Sequence, residues 1–423
     1  MTNVFAIRRL KQFGGAEEGQ ALALGAFVLV VLMLMAGLGV DVGYLRYEKL
    51  QMQKAADAGA IAGAAALIYG GQVQLAARND SAANGFTNGN NGVTVAVNNP
   101  PASGPFAGNN NYVEVIVAQA TPTFFLRVGG FSTVNVSSRA VASSLGSSSG
   151  CIYALDPTDS AAFTASGSVN ISSNCGIRVN SNSPSALYKT GSGNISVERS
   201  RSDGIGVVGG VSEAGSGTIS PTPTQGIPTF GDPLAYVPAQ TPGSCTPQIG
   251  TINKSTTLYA GTFCKGIQIS GNNNVVVTFG QGTYILLGGG LSVTGSPILT
   301  GSNVTFYNTG SPAYPYAPVT ITGSSSSTLS APTSGPLAGM LVFQDRSVVS
   351  TALNSIDGSH GEIYTGAFYF PTTPVTYTAN STFPPYVIID AWQVTMLGTS
   401  AIGNTYTSLP DGASPIHSAV LVE

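Results

Sequence analysis

The sequence predicts an α+β chain in three parts. A long N-terminal transmembrane helix comes first, then a small helix-plus-strand domain, then a mainly-β right-handed parallel β-helix or solenoid, with a β-sandwich as the alternative. Three observations carry this. Gly19 to Val40 is an uncharged run, closed by Asp41 and preceded by Arg8, Arg9 and Lys11. No proline occurs before Pro100, and helix formers dominate from Glu17 to about Ala83. From Cys151 onward, short β-branched bursts alternate with Gly, Ser, Asn and Thr. The expected divisions are a cytoplasmic tail at 1–18, an anchor at 19–42, a helix plus small β-rich region at 43–148 and an extracytoplasmic solenoid at 149–423.

The apolar run is long enough to cross a bilayer core of ~30 Å at about 1.5 Å per residue. Its basic flank lies on the N-terminal side, which predicts a cytoplasmic tail and export of the remainder. A cleaved signal is the competing reading. The run exceeds the ~7–15 apolar residues usual for such signals, and a helical pattern continues beyond it, which favours the anchor. Arg8-Arg9 is followed by Leu-Lys-Gln-Phe, a poor match to a twin-arginine signal.

Beyond the run, Leu45, Leu50, Met52, Ala56, Ala60, Ala64 and Leu67 form a weakly amphipathic stripe rich in small side chains. Small residues permit close helix approach, so this face is expected to pack on another helix or on its own domain. Gly70-Gly71 is expected to kink or interrupt the helix. Asp57 lies three residues after Lys54, a spacing that suits a local ion pair. Val93–Val97, Tyr112–Ala118 and Val134–Ala142 read as strands between Asn/Gly/Pro turns. Phe124, Phe125 and Phe131 are expected to fill a small core, with an exposed docking patch as the other reading. LGSSSG at 145–150 has linker composition.

The final part offers strands of ~3–5 residues at short intervals, with Gly and Asn at corners that accept positive φ. Asn272-Asn273-Asn274 reads either as a stacked polar ladder or as an exposed turn. The seven prolines between Pro221 and Pro247 rule out central strands there and predict an excursion from the solenoid. Pro312, Pro315 and Pro318 mark a second excursion, carrying Tyr314 and Tyr316. Four cysteines, Cys151, Cys175, Cys245 and Cys264, lie in the exported part and predict two disulfides. Sequence proximity favours Cys151–Cys175 and Cys245–Cys264 among the three possible pairings.

Composition narrows function. Charged residues make up only 8 % of the 423, far below the ~25 % of ordinary domains. Residues 1–150 carry 9 Lys+Arg against 7 Asp+Glu, and residues 151–423 carry 7 against 12. The exported part therefore has no basic patch for nucleic acid. With no Cys-x-x-Cys spacing and only His360 and His417, no metal is expected. Asp345, Asp357, Glu362 and Asp390, with Arg346 and His360 near them in sequence, are the clustered carboxylates that glycoside hydrolysis would need. Turn residues and local salt bridges explain them better, so no catalytic residue and no cofactor are assigned.

Three stretches carry a family resemblance. The first is Glu18-Gly19-Gln20 leading into the apolar run. The second is Asp41-Val42-Gly43-Tyr44 with Leu50-Gln51 and Ala55-Ala56-Asp57-Ala58. The third is Pro122-Thr123-Phe124-Phe125 leading to Val134 and Arg139-Ala140-Val141-Ala142. In order and spacing these resemble the TadG-like proteins of tight-adherence (Flp) pilus systems over about 17–142. The Gly-rich remainder also looks like the C-terminal part of some members. The resemblance implies a single-pass bacterial inner-membrane protein, its bulk periplasmic or extracellular. It also implies a structural, non-enzymatic role with other pilus assembly proteins or pilins. Gly19, Gln20, Asp41, Gly43, Tyr44, Gln51, Ala55, Ala56 and Asp57 are the motif positions expected at partner contacts.

Two departures stand beside this. Glu17 and Glu18 lie too close to Gly14 and Gly15, and Leu24 stands five residues after Gly19, so prepilin-type processing is not supported. Asp156-Pro-Thr-Asp-Ser and Asp357-Gly-Ser-His do not fit a metal-dependent adhesion site. Two other function classes remain. An adhesin would present Tyr314, Tyr316, Tyr364, Tyr369 and Trp392 as an exposed strip for glycans or surfaces. A carbohydrate-active enzyme would bring two of the named carboxylates together in a groove.

Overall fold

The computed structural model describes residues 17–147, 150–198, 204–247, 250–323, 326–358, 360–379 and 382–423, with backbone alone at 17–21, 147, 379 and 411. Arg8, Arg9, Lys11, Gly14 and Gly15 lie outside the described residues, as do positions 148–149 of the expected linker. Two compact units partition the chain. The first takes residues through Ala66, Gln72–Ser143 and Val420–Glu423; the second takes Leu67–Gly71 and Ser144–Ala419.

In the first unit, helix α1 runs Glu17–Ile68, 52 residues, or about 78 Å. It stops at Ile68, and Gly70 just beyond it takes a φ of +67° that does not continue a helix. Helix α2 follows at Val73–Ala83, so the glycine pair interrupts the helix. The strands are β1 (Val93–Asn98), β2 (Tyr112–Pro122) and β3 (Thr133–Ser147). β1 and β3 both pair antiparallel with β2, and Val420–Glu423 lies beside β3, Val141 bonding to Val422 and Glu423 through the backbone. β3 carries on through Ser147, so much of the expected linker is strand.

Alternation along β2 turns Val113, Val115 and Val117 inward, all fully buried. Met52, Ala55, Ala56, Ala60 and Ala64 of α1 are fully buried as well. Glycines bring the layers close. A Cβ on Gly59 would lie 2.5 Å from Ser81 Oγ and 2.9 Å from the Ala77 carbonyl, and one on Gly63 would lie 2.8 Å from Val113 Cγ1. The small-residue face is therefore filled by α2 and the sheet of its own unit. Earlier in α1, Leu22 to Val40 is exposed almost all round, which suits hydrocarbon and not water.

The second unit is a parallel β-solenoid of about ten turns. Its coils pair strand on strand in parallel, which excludes the antiparallel sandwich. In the first coils, 150–173, 176–197 and 205–220, the second and third strands repeat every 24 residues, Phe163 pairing with Leu187 and Leu187 with Val211. The sequence shows the repeat as GSVNIS at 167, GSGNIS at 191 and GSGTIS at 215. Ile171, Ile195 and Ile219 stack in register. Asn170 Oδ1 accepts from the Asn194 N–H (3.2 Å), and Asn194 Oδ1 accepts from the Thr218 N–H (2.9 Å). The polar ladder is here, whereas Asn272 closes an exposed turn on the Asn274 N–H. The glycines of the second and third copies, Gly191, Gly193, Gly215 and Gly217, sit against the coil before them: a Cβ on Gly193 would lie 1.7 Å from the Val169 carbonyl oxygen. Cys151 and Cys175 occupy equivalent places in adjacent coils and are bonded, Cα–Cα 5.7 Å.

The coils do not stack in chain order. After Thr224–Gln225 no strand occurs among the described residues until Thr256–Leu258, at the opposite end of the stack. From there the coils run back toward the start, and the last one settles on the first. Ile389 pairs with Ile152, Val394 with Phe163 and Thr399 with Asn170. The Pro-rich segment thus spans the sheet from end to end. Ten strands at ~4.8 Å make that about 43 Å. Cys245, bonded to Cys264 (Cα–Cα 5.5 Å), and Ile252 begin the far end by bridging to Thr262 and Ile269.

Candidate functional site

In the sequence Asp41 closes the uncharged run, with Tyr44 and Tyr47 just after it. The structure gives it specific partners. Its side chain is fully buried and accepts three backbone N–H groups from the loop after β2. The Phe124 N–H reaches Oδ1 at 2.8 Å, and those of Phe125 and Leu126 reach Oδ2 at 2.9 and 2.6 Å. These amides open the short 3-10 turn Leu126–Gly129, whose first N–H groups have no partner within the turn. One carboxylate so fixes the loop against α1. The Phe125 ring occupies the space above Gly37, where a Cβ would lie 2.6 Å from Phe125 Cγ. Tyr44 packs edge-on against Phe124, centroids 5.2 Å apart.

The loop aromatics do not fill a core. Phe124 is 53 % exposed, Phe125 48 %, Phe131 64 % and Val128 81 %. The small core under the sheet is built instead from Met52, Phe86 and the valines and alanines of α1, α2 and the strands. The other motif positions separate by environment. Ala55 and Ala56 are buried between α1 and its own unit. Gly43 is exposed with nothing near it, and Gln51 is half-buried. Asp57 accepts from Gln53 Nε2 at 2.7 Å, not from Lys54, and the same Gln53 nitrogen donates to the Arg139 carbonyl. Gly19 lies in α1, as does Gln20, whose side chain is outside the described residues. The face of α1 that its own unit leaves open carries Tyr47, Leu50, Lys54 and Ile61.

Arg139 ties the sheet together. Its Nε lies 2.5 Å from Glu114 and its Nη1 2.7 Å from Glu423. Glu114 is fully buried and also accepts from Asn98 Nδ2 (2.7 Å) and the Ala102 N–H (3.1 Å). Burial works to raise its pKa, but the bonds from Asn98, Arg139 and Ala102 hold it below the ordinary value.

In the solenoid, Arg346 clamps the Pro-rich segment. Nη2 and Nη1 donate to the carbonyls of Leu234 (2.6 Å) and Val237 (3.0 Å), and Nε donates to Tyr369 Oη. Tyr369 donates in turn to Asp232. Asp390 lies fully buried beside this group, and neither carboxylate oxygen has a hydrogen-bond partner among the described residues. Burial, and then the Asp232 charge, push its pKa well up. Asp345 is engaged by Thr309 Oγ1 and by the Ser347 N–H and hydroxyl. Glu362 is buried and accepts the His360 N–H. Among the described residues no three His, Cys, Asp or Glu side chains gather as a metal site. Of the five aromatics that would make a glycan strip, Tyr364 and Tyr369 are core residues and only Trp392 is well exposed, at 36 %.

The class defined by these features is a β-solenoid protein bearing one long apolar N-terminal helix, a candidate membrane span. Residues 19–66, the greater part of that helix, match the Tad family model, described as "Putative Flp pilus-assembly TadE/G-like". No curated protein and no solved structure matches the chain.

Proposed function

We propose that this protein is a membrane-anchored structural component of tight-adherence (Flp) pilus assembly, acting through protein–protein contacts and not by catalysis. The observation that carries the reading is the position of the family match. It covers both the exposed apolar stretch of α1 and the stretch that organises the folded unit. In this reading residues 19–42 hold the chain in the bacterial inner membrane and the solenoid stands on the periplasmic side. The small-residue face of α1 is already filled, so contact with other pilus proteins falls to the open face with Tyr47, Leu50, Lys54 and Ile61. Leu50, 63 % exposed, is the apolar centre of that face.

The test is genetic. A strain lacking the gene is complemented with wild-type protein, with Leu50→Asp or with Lys54→Ala, and surface pili are counted. Wild type restores pili, and Leu50→Asp, at equal membrane abundance, fails to. Normal piliation in the deletion strain would reject the assembly role. Full rescue by Leu50→Asp would reject this face.

A further inference from the structure

We infer that the 123–131 loop inserts into the periplasmic leaflet beside α1, as a second membrane-contacting element next to the helix. The inference rests on residues 19–42 being the membrane span. Two independent features of the loop point to lipid as its occupant.

The first is continuity of apolar surface. Phe125, Val128 and Phe131 line one depression with Leu34 and Leu38 of α1. Leu34 and Leu38 are themselves 57 % and 48 % exposed, inside the apolar run. Leu34 precedes Asp41 by seven residues, so the loop reaches back about 10 Å along the helix from its carboxylate tether. An aqueous location would leave these aromatics in water. A bilayer covers them with the same hydrocarbon that covers the helix.

The second feature is the loop's backbone. Irregular chain at membrane depth must have its polar groups satisfied within the protein. Asp41 takes the N–H groups of Phe124, Phe125 and Leu126. Those of Thr123, Val128, Gly130 and Phe131 go to the carbonyls of Ser132, Phe125, Arg127 and Leu126. The Thr123 hydroxyl donates to the Phe131 carbonyl. Arg127 is the one charge in the loop. It is exposed, and its long stem lets the guanidinium reach the headgroups while the loop stays in the apolar layer.

The test uses full-length protein in vesicles of phosphatidylethanolamine and phosphatidylglycerol. All four native cysteines are in disulfides, so single cysteines take an environment-sensitive nitrobenzoxadiazole label. The variants are Val128→Cys, Leu29→Cys as the span control and Asn110→Cys as the solvent control. Quenching is read with lipids that carry a nitroxide on the acyl chain. Equal quenching at positions 128 and 29, with none at 110, is the expected result. Quenching at 29 but not at 128 overturns the insertion and leaves the span intact. A blue-shifted but unquenched label at 128 means that protein, such as a second copy, covers the loop, and also overturns it. No quenching at 29 refutes the span, and the insertion with it.

Discussion

Gly193→Ala is the sharpest test of the 24-residue coil stack. The added methyl would lie 1.7 Å from the Val169 carbonyl oxygen and 2.4 Å from the Val169 nitrogen, where real contacts stay above 3.0 Å. Both atoms are backbone, as is the Val169 carbonyl carbon at 2.4 Å, so no rotamer relieves the clash and the two coils must part by more than an ångström. That displacement breaks the neighbouring bonds from the Ile171 N–H to the Asn194 carbonyl (2.8 Å) and from the Gly193 N–H to the Gly167 carbonyl (3.3 Å). Overpacking and two orphaned pairs together cost on the order of 4 kcal/mol. Ser192→Ala, at an exposed neighbour, should stay within ~0.5 kcal/mol. The assay is urea unfolding of the detergent-solubilised protein, followed by Trp392, the single tryptophan, in the last coil. Equal midpoints for Gly193→Ala and Ser192→Ala would refute the packing argument.

Three further outcomes follow from the same structure. Folded Asp390 keeps a proton that the unfolded chain releases above about pH 4, so its contribution is full below that pH and declines as pH rises until the folded carboxyl ionises. The slope is about 1.4 kcal/mol per pH unit, and Asp390→Asn should flatten it in unfolding curves taken across pH 4 to 8; an unchanged slope would contradict it. Arg139→Ala strips the buried Glu114 of its countercharge and should cost roughly 3 kcal/mol, near the low end for a buried pair because Arg139 is partly exposed. Glu114→Gln in that background should restore much of the loss, and failure of this rescue would argue that packing, not charge, sets the cost. Thr164 and Thr395 are register partners between the first and last coils, so the double variant Thr164→Cys/Thr395→Cys should cross-link on oxidation, read as a mobility shift and a new disulfide peptide; no cross-link would contradict the non-sequential stack.

What the sequence made legible follows physical lines. The candidate membrane span stands out because it is a long uncharged apolar run, and the solenoid because short strands with glycine corners recur without helices. The stacking order is another matter. Val394 meets Phe163 across most of the chain, and no local pattern says which coil adjoins which. The GSGNIS repeat is visible in the sequence, yet only three copies occur before the period drifts, so spacing alone hides it. Asp41 finds its partners 83 to 85 residues away, and a charge beside tyrosines at a membrane exit reads equally well as a solvated end. The loop phenylalanines mislead for a related reason. Residues that fill a core and apolar residues left on a surface have the same composition, and only the fold shows that Phe124, Phe125 and Phe131 stay exposed. The Ala/Gly face of α1 reads correctly as a packing surface, but small side chains do not specify whose surface completes it.

Cell fractionation separates a membrane-held assembly component from a fibre subunit. Cells are sheared, and full-length protein is measured in carbonate-washed membranes and in the purified fibres, alongside pilus counts in the deletion strain. The account predicts retention in the washed membrane, little or none in the fibres, and loss of pili on deletion. Protein that co-purifies with sheared pili, or a deletion strain that builds them normally, would contradict it.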